Sequence, residues 1–280
     1  MDIAVLGANG WLGGKVTKAL NAKAITQKML SEKVISEFLE RENPEVLINC
    51  AGKTGRPNVD WCELNKLETF EANSLLPLNL ARACEKAGAR LVHFGSGCIF
   101  EGNNGGKGFS EEDKPNFFGS FYSRGKILGD ELLSDFKNVL TLRLRMPVDS
   151  EPGPRNLITK LSGYKQIINE KNSITIIEDL LTALKALVEK NEKGIFNVVN
   201  SPATSHEEII SLYRKIVNPA FSCEFISLER LEKMTLAKRS NCILSTEKLE
   251  NAGIKLRNTQ EALADCLQRY KQFESQSRKP

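Results

Sequence analysis

The order of apolar and polar residues predicts strands that alternate with helices. Short apolar runs ending in glycine, asparagine or serine are typical of buried strands, and the longer runs between them repeat apolar residues at helical spacing. The predicted elements are, in chain order, a strand over 2–6, a helix with the pattern 16–20, a strand over 24–26, a helix over 31–42, a strand over 46–49, a helix over 71–87, a strand over 91–94 that breaks at 95–98, and a helix carrying 122 and 126. This alternation predicts an α/β fold built on a Rossmann-type doubly wound parallel sheet.

The second half of the chain predicts a smaller lobe. The predicted elements there are a helix over 175–190, a late strand of the main sheet over 194–200, and helices near 205–217, 228–233 and 260–273. A chain of 280 residues with 41% hydrophobic residues can bury one large core and a smaller second one. We assign residues 1–146 and the late strand to a dinucleotide-binding domain, and residues 147–280 mainly to a substrate-binding lobe.

A glycine-rich turn joins the first strand to the first helix. Its cofactor-binding candidates are Gly7, Asn9, Gly10, Trp11, Leu12 and Gly13. Glycines at this spacing permit a tight turn, a close backbone approach to a pyrophosphate, and close packing of helix on strand. The amides at the start of the helix then donate to phosphate oxygens. An ordinary glycine-rich turn is the alternative, but the strand before it and the helix after it favour a dinucleotide site.

The second strand favours NADPH over NADH. A fold that binds NAD usually places an acidic residue near the end of this strand to hold the ribose 2′-hydroxyl. Residues 22–31 contain neither Asp nor Glu, and they include Lys23 and Lys28. We therefore expect NADPH as the cofactor, with NADH possible and two solvated lysines as the alternative explanation.

A polar loop follows the third strand. Ala51 and Gly52 end that strand, and residues 53–63 supply donors, acceptors and one large aromatic side chain, Trp61. Open α/β sheets bind ligands beyond the carboxyl ends of their strands, so this loop is a candidate for ligand contact. A structured turn with Trp61 packed inward is the alternative.

The candidate chemistry lies between the fourth strand and the helix that follows it. Tyr122 and Lys126 are four residues apart, so a helix places them on one face, where the ammonium favours the ionised phenol. Ser96 and Cys98 follow the strand directly. Tyr-x-x-x-Lys is a weak signal alone, and its weight comes from this Ser-x-Cys and from the glycine-rich turn. His93 and His206 lie in an apolar strand and at a helix start, and we assign neither a catalytic role.

Composition narrows the possible partners. The net charge of +4 is small beside 39 Lys and Arg and 35 Asp and Glu, and no basic run is interleaved with aromatics, so nucleic acid is not an expected partner. No apolar run approaches the ~20 residues needed to cross a bilayer, and no leader precedes the first strand, so we expect a cytoplasmic protein without a membrane partner. Seven cysteines without a Cys-x-x-Cys pair predict buried thiols and no metal site.

Several longer motifs resemble those of the extended short-chain dehydrogenase/reductases of deoxysugar synthesis, of the dTDP-4-dehydrorhamnose reductase type. The similarity is greatest to the branch with both UDP-4-keto-6-deoxyglucose 3,5-epimerase and 4-reductase activity, which is also found as the C-terminal part of plant rhamnose synthases. The matching stretches are residues 51–52, 54–63, 97–101, 111–113, 115–117, 119–123, 142–147, 154–156, 158–160 and 239–241.

The resemblance implies a role for individual residues. Ser96, Tyr122 and Lys126 take the positions of the reductase triad, and Cys98 and Lys160 those of epimerisation at C3 and C5. The candidates for substrate binding are Thr54, Arg56, Asn58, Ser96, Cys98, Asn156 and Arg239. The further candidates for cofactor binding are Lys28, Ala51, Gly52, Tyr122, Lys126 and Arg145. A guanidinium suits phosphate oxygens, which favours Arg239 as a diphosphate ligand. The chain departs from its relatives at Ala8-Asn9, at Ser96 and in a shortened loop before Lys28.

Alternatives to the bifunctional enzyme stay open. One is a dTDP-4-dehydrorhamnose reductase without epimerase activity, and another is a catalytically silent NADP(H)-binding regulatory subunit on the same fold. The presence of Ser96, Cys98, Tyr122 and Lys126 together argues against the silent subunit. UDP and dTDP are both open as the nucleotide, and a homodimer is what the resemblance implies.

Overall fold

The computed structural model describes residues 1–26 and 31–277. The cofactor candidate Lys28 lies outside these residues. The strands are β1 (Ile3–Leu6), β2 (Lys23–Ile25), β3 (Val46–Asn49), β4 (Arg90–Ser96), β5 (Val139–Leu144), β6 (Pro147–Val148), β7 (Gln166–Ile168), β8 (Lys171–Ile176), β9 (Gly194–Asn197), β10 (Asn200–Ser205) and β11 (Glu224–Ile226).

The helices of the first half are α1 (Trp11–Ala19), α2 (Glu32–Glu42), α3 (Asp60–Leu64), α4 (Lys66–Phe70), α5 (Leu76–Ala87) and α6 (Phe121–Ser134), with a π-helical turn, Glu71–Leu75, ahead of α5. The helices of the second half are α7 (Leu157–Ser162), α8 (Ile177–Glu189), α9 (His206–Ile216), α10 (Leu228–Glu232), α11 (Glu247–Asn251) and α12 (Thr259–Ser277). None of the helices in the described ranges is long and apolar enough to cross a membrane.

The chain divides into two compact units. The first contains Met1–Ile99, Pro115–Arg143 and Lys185–Phe196, and the second contains Phe100–Lys114, Leu144–Leu184 and the chain from Asn197 onward. The domain boundary that we place at residue 146 stays a prediction.

The first unit is built on a six-stranded sheet of order β2-β1-β3-β4-β5-β9. The pairs β1–β2, β1–β3 and β3–β4 are parallel, so the carboxyl ends of β1, β3 and β4 meet at one edge. Its buried core includes Leu6, Leu47, Leu80 and Leu91. This architecture confirms the predicted α/β fold with a Rossmann-type sheet.

The second unit holds two small sheets. Strand β8 pairs in parallel with β6 and antiparallel with β10, while β7 and β11 form a parallel pair. Its own core includes Ile174, Ile209, Leu263 and Tyr270. Helix α9 begins with a complete capping box, because Ser205 Oγ accepts from the Glu208 amide and the Glu208 carboxylate accepts from the Ser205 amide.

Some predicted boundaries are wrong. Strand β4 continues through Gly95 and Ser96 instead of breaking there, and Thr175 belongs to β8 instead of a helix. The late strand of the main sheet ends at Asn197, and Asn200 starts β10 in the other unit. The last of these errors has a physical cause. An apolar run indicates that residues are buried, but it does not indicate which of two successive strands each residue joins.

All seven cysteines are free thiols. Cys62, Cys84, Cys242 and Cys266 are buried, and Cys98 is only partly so. Burial raises the pKa of the Cys84 thiol to about 12, which makes that thiol inert at neutral pH. The prediction that most cysteines are buried thiols is confirmed.

Candidate active site

The glycine-rich turn after β1 is built from close backbone approaches. The Gly10 amide donates to Gly7 O at 2.8 Å. A Cβ on Gly13 would lie 2.1 Å from Gly7 O, and Gly7 has φ +81° with Ala51 N 2.9 Å from where its Cβ would be. Only glycine fits at Gly7 and Gly13, and the start of α1 therefore packs directly on the end of β1.

The first turn of α1 is open to an anionic ligand. Its N-cap, Gly10, provides no side-chain cap, and no acidic residue lies in the first turn. Asn9 and Gly10 are exposed, Trp11 and Leu12 are half-buried, and Gly13 is buried. Since helix N-termini carry orphan amides and partial positive charge, the turn fits the pyrophosphate of a dinucleotide.

The turn after β3 is fixed by a buried polar pair. Asn49 Oδ1 accepts from the Ala51 amide at 3.0 Å, and Asn49 Nδ2 lies 3.1 Å from His93 Nδ1. Burial, aided by the nearby Lys126 ammonium, holds the pKa of His93 well below its usual range. His93 is therefore neutral and structural at pH 7.

Asn73 holds the next residues of the same turn. Its side chain accepts from the Lys53 amide at 3.1 Å and donates to Lys53 O at 2.8 Å, as a paired strand would. Asn73 lies in the π-helical turn, one turn ahead of Pro77. A proline has no N–H to bond the carbonyl four residues back, which is that of Asn73, so the sequence itself explains the irregular turn.

The loop over 53–63 is a structured turn with exposed polar side chains. Gly55 has φ +73°, and the Lys53 ammonium lies 5.2 Å from the centre of the Trp61 ring. Thr54 and Arg56 are exposed, and Asn58 Oδ1 accepts from the Asp60 amide at 2.8 Å. Their contact with a substrate stays a prediction.

Ser96 and Cys98 are joined by a direct bond. Ser96 is the last residue of β4 and is buried, and its Oγ accepts from the Cys98 amide at 3.1 Å. The Ser123 hydroxyl donates to Cys98 O at 2.6 Å. The backbone of Cys98 is thus held on both sides, and the Ser96 hydroxyl can still donate its own hydrogen to a substrate oxygen.

Helix α6 places Tyr122 and Lys126 on one face, as predicted. Both side chains are buried, with 7% and 5% exposure. Lys126 Nζ donates to Phe94 O at 2.9 Å, next to the end of β4. Burial lowers the pKa of Lys126 to about 8, against the opposing pull of Asp130 and Cys98. The Lys126 amine is therefore mostly protonated at pH 7, and its pKa lies close to that pH.

The start of α6 is anchored by side chains that sequence reasoning missed. Ser120 is its N-cap and accepts from the Ser123 amide at 3.0 Å, while Glu63 Oε1 accepts from the Phe121 amide at 2.6 Å. The Ser-x-x-Ser spacing before an apolar run signals the cap. The hydrogen bond from the Phe121 amide to Glu63 joins residues 58 positions apart, so no local sequence pattern predicts it.

Four candidates lie in the second unit. Asn156 is fully buried, accepts from the Ile158 and Asp149 amides, and donates to Asp149 O and Glu151 O, so its amide group has little hydrogen-bonding capacity left. Its role toward a substrate stays a prediction, and its local role is to cap α7.

The cationic candidates of the second unit differ in their surroundings. Arg145 is buried, and its guanidinium donates to Asn172 Oδ1 at 2.6 Å and to Ser240 O. Arg239 is half-buried and donates to Ala237 O. Lys160 lies on α7, where burial and then Arg155 lower the pKa of its ammonium. The role of Lys160 in proton transfer stays a prediction.

Other motif residues serve the fold of the second unit. Glu111 Oε1 accepts from the Asn197 amide at 2.7 Å, and Asp113 accepts from the amide and hydroxyl of Ser110. Those hydrogen bonds lower the pKa of Asp113. Within residues 1–26 and 31–277, no three His, Cys, Asp or Glu side chains converge as metal ligands.

The sequence pattern of the RmlD substrate binding domain matches residues 1–272. The chain belongs to this family. An Arabidopsis thaliana protein named bifunctional dTDP-4-dehydrorhamnose 3,5-epimerase/dTDP-4-dehydrorhamnose reductase is 40% identical over 94% of this chain and 91% of its own length. A protein of the same plant named trifunctional UDP-glucose 4,6-dehydratase/UDP-4-keto-6-deoxy-D-glucose 3,5-epimerase/UDP-4-keto-L-rhamnose-reductase is 39% identical over 94% of this chain, which spans 41% of that longer protein.

Solved structures of this family share the fold. The L780 UDP-rhamnose synthase from Acanthamoeba polyphaga mimivirus is 32% identical, with a TM-score of 0.92 over 96% of this chain and 99% of that one. A dTDP-4-dehydrorhamnose reductase from Clostridium acetobutylicum, at 21% identity, has a TM-score of 0.83 over 95% and 98% of the two chains. The resemblance to extended short-chain dehydrogenase/reductases of the RmlD type is confirmed.

Proposed function

We propose that the chain converts UDP-4-keto-6-deoxy-D-glucose to UDP-L-rhamnose by 3,5-epimerisation followed by NADPH-dependent reduction of the 4-keto group. The observation that carries this proposal is the arrangement at the end of β4. Ser96 Oγ accepts from the Cys98 amide, Lys126 Nζ donates to Phe94 O, and Tyr122 shares the face of α6 with Lys126. Relatives at about 40% identity that are named as epimerase/reductases support it.

The cofactor would be held by the glycine-rich turn and the turn after β3. Gly7 and Gly13 allow α1 to pack directly on the end of β1, and the uncapped first turn of α1 presents amides to phosphate. When bound, NADPH supplies the hydride for the carbonyl carbon. Tyr122 then donates a proton to the C4 oxygen, and Lys126 stabilises the negative charge left on the phenol oxygen.

Epimerisation uses the acidity that the 4-keto group gives to C3–H and C5–H. A base removes the proton from one face, and an acid returns a proton to the other, through an enolate. The hydroxyls of Ser96 and Tyr122 would stabilise the enolate oxygen. Cys98, whose backbone is held by Ser96 and Ser123, is our candidate for proton transfer.

Inversion also requires a second proton-transfer group. We assign it to Lys160, the partly buried ammonium of α7 with a lowered pKa. We also propose that Arg239 and Asn156 bind the substrate and that Arg145 binds the cofactor. A homodimer, a cytoplasmic location and UDP instead of dTDP as the nucleotide likewise remain proposals.

The function is tested by incubating the purified chain with NADPH and UDP-4-keto-6-deoxyglucose and identifying the sugar by NMR. UDP-L-rhamnose supports the proposal. A 6-deoxyhexose with unchanged C3 and C5 configuration indicates a reductase that needs a separate epimerase. Recovery of the 4-keto sugar with no oxidation of NADPH, in a chain shown to bind NADPH, indicates a silent subunit.

NADPH is expected to give a higher kcat/KM than NADH. The reason is the absence of an acidic residue near the end of β2 together with Lys23 and Lys28. Lys23 is ion-paired with Glu42, which also bonds Arg41, so Lys23 contributes less than its charge implies. Steady-state rates with each cofactor at a fixed substrate concentration make the comparison, and an equal or better kcat/KM with NADH would contradict the preference.

A further inference from the structure

Helix α6 carries a third ionisable side chain in line with the candidate pair. Tyr122, Lys126 and Asp130 follow one another at four-residue intervals, which places them on one face of the helix. All three are buried, and Asp130 has 3% exposure. The reductase chemistry proposed above uses the first two and assigns nothing to the third.

Asp130 is fixed by an ion pair. Arg143, at the end of β5, donates from Nε to Asp130 Oδ2 at 2.8 Å, and both side chains have 4% exposure. A buried charge pair of this kind is weak evidence for stability, because desolvation offsets much of the attraction. A role for the pair is therefore better sought in the effect of the Asp130 charge on neighbouring ionisable groups.

The second carboxylate oxygen lies beside the strand that holds Lys126. Asp130 Oδ1 is buried and has no hydrogen-bond partner among the described residues. A Cβ on Gly95 would be 3.0 Å from this oxygen. Gly95 directly follows Phe94, whose carbonyl accepts from Lys126 Nζ at 2.9 Å. The glycine thus leaves space for a carboxylate next to the anchor of the lysine.

In the part of the chain that the structure describes, few other ionisable groups lie around Lys126. Cys98 is a nearby ionisable group, and Tyr122 lies one turn earlier on α6. His93 on β4 is neutral, and Arg143 on β5 is paired with Asp130. The π-helical turn packed on α6 carries the buried, neutral side chains of Asn73 and Ser74 and the exposed Glu71. Glu63 on α3 accepts from the Phe121 amide.

Burial lowers the pKa of Lys126, and Asp130 is the largest opposing influence. Burial also raises the pKa of Asp130, and Arg143 and then Lys126 oppose that rise. The carboxylate therefore depends on its ion pair with Arg143 to stay charged beside Lys126.

We propose that Asp130, held by Arg143, is a positioning residue that keeps Lys126 protonated beneath Tyr122. The inference rests on the proposed reductase role of Tyr122 and Lys126 and extends it by naming the group that maintains the charge. Phe94 O fixes where the ammonium lies, and the free oxygen of Asp130 compensates for its burial.

The direct test is the titration of Lys126 in protein carrying ¹³C-labelled lysine. The Cε resonance is followed by NMR against pH and assigned with Lys126→Met. Asp130→Asn is expected to lower the midpoint by about one to three pH units, the usual effect of an opposite charge nearby. Glu131→Gln is the matched control, because Glu131 is the exposed acidic neighbour on the same helix, and it should leave the midpoint unchanged.

A second variant removes the risk that an unpaired Arg143 unfolds the chain. Asp130→Leu combined with Arg143→Met deletes both buried charges and should shift the Lys126 midpoint in the same direction. The alkaline limb of the pH profile of kcat/KM for reduction should likewise shift to lower pH. A purely structural role would lower the folded fraction without moving either pH dependence.

The outcomes separate this inference from the proposed function. A Lys126 midpoint within about 0.3 pH units of wild type in a folded Asp130 variant overturns the inference, whatever the activity. The titration requires no substrate, so it is unaffected if wild-type protein fails to reduce UDP-4-keto-6-deoxyglucose. That failure would instead overturn the proposed function.

Discussion

Tyr122→Phe is expected to slow 4-keto reduction by about 10²-fold to 10⁴-fold, the usual range for a lost general acid. Tyr122 is buried one turn before the Lys126 ammonium on α6, and the substitution removes only the hydroxyl. The C4 oxygen would then have to take its proton from water. Reduction is measured as NADPH oxidation under single-turnover conditions, so that product release does not hide the chemical step.

The control for this prediction is a tyrosine outside the cluster. Tyr164 is 44% exposed, and Tyr164→Phe should leave the rate within a few-fold of wild type. NADPH affinity, followed by fluorescence titration, should change little in Tyr122→Phe because the phosphate-binding turn is intact. Reduction that stays within a few-fold of wild type would remove Tyr122 from the mechanism.

Local signals were sufficient to predict the parts of the site that short segments build. The glycine spacing implied a close approach of α1 to β1, and the 2.1 Å between a Gly13 Cβ and Gly7 O shows it. The four-residue spacing of Tyr122 and Lys126 likewise gave their common face. Such features depend on backbone geometry over one or two turns, which a sequence states directly.

Features built from distant segments were beyond the reach of sequence patterns. The Glu63 carboxylate caps α6, and the Phe94 carbonyl holds Lys126. In the second unit, Phe109 pairs with Leu244, and this bridge joins segments that no periodicity connects. Asn156, a motif residue predicted to contact the substrate, has its side-chain bonds within its own turn, and its contact with a substrate stays a prediction.

Asp130 lies between these two cases. Its four-residue spacing from Lys126 was visible in the sequence, but an acidic residue on a helix is usually a solvated one. Only the burial of the carboxylate and its bond to Arg143 distinguish it from its exposed neighbour Glu131. The hydrophobic pattern alone therefore does not reveal the buried carboxylate that follows the candidate pair Tyr122 and Lys126 on α6.

Cys98→Ala is expected to abolish solvent-deuterium exchange at C3, at C5 or at both, while NADPH binding stays unchanged. A thiol suits this proton transfer because free cysteine titrates near pH ~8.5, close to neutrality. Cys98→Ser should behave like the alanine variant, since a hydroxyl is a far poorer acid and base at this pH. Any residual reduction should yield an unepimerised or singly epimerised 6-deoxyhexose.

The measurement is deuterium incorporation at C3 and C5 in D₂O, resolved by NMR, for wild type, Cys98→Ala and Lys160→Met. Cys223→Ala, which alters another partly buried thiol, is the matched control and should exchange normally. If Cys98 and Lys160 serve different carbons, their variants lose different positions; if they act as base and acid at one carbon, both lose the same one. Normal exchange in Cys98→Ala would make this residue a structural thiol, held by Ser96 and Ser123. Another group would then have to transfer the protons at C3 and C5, and the assignment of Cys98 to epimerisation would be wrong.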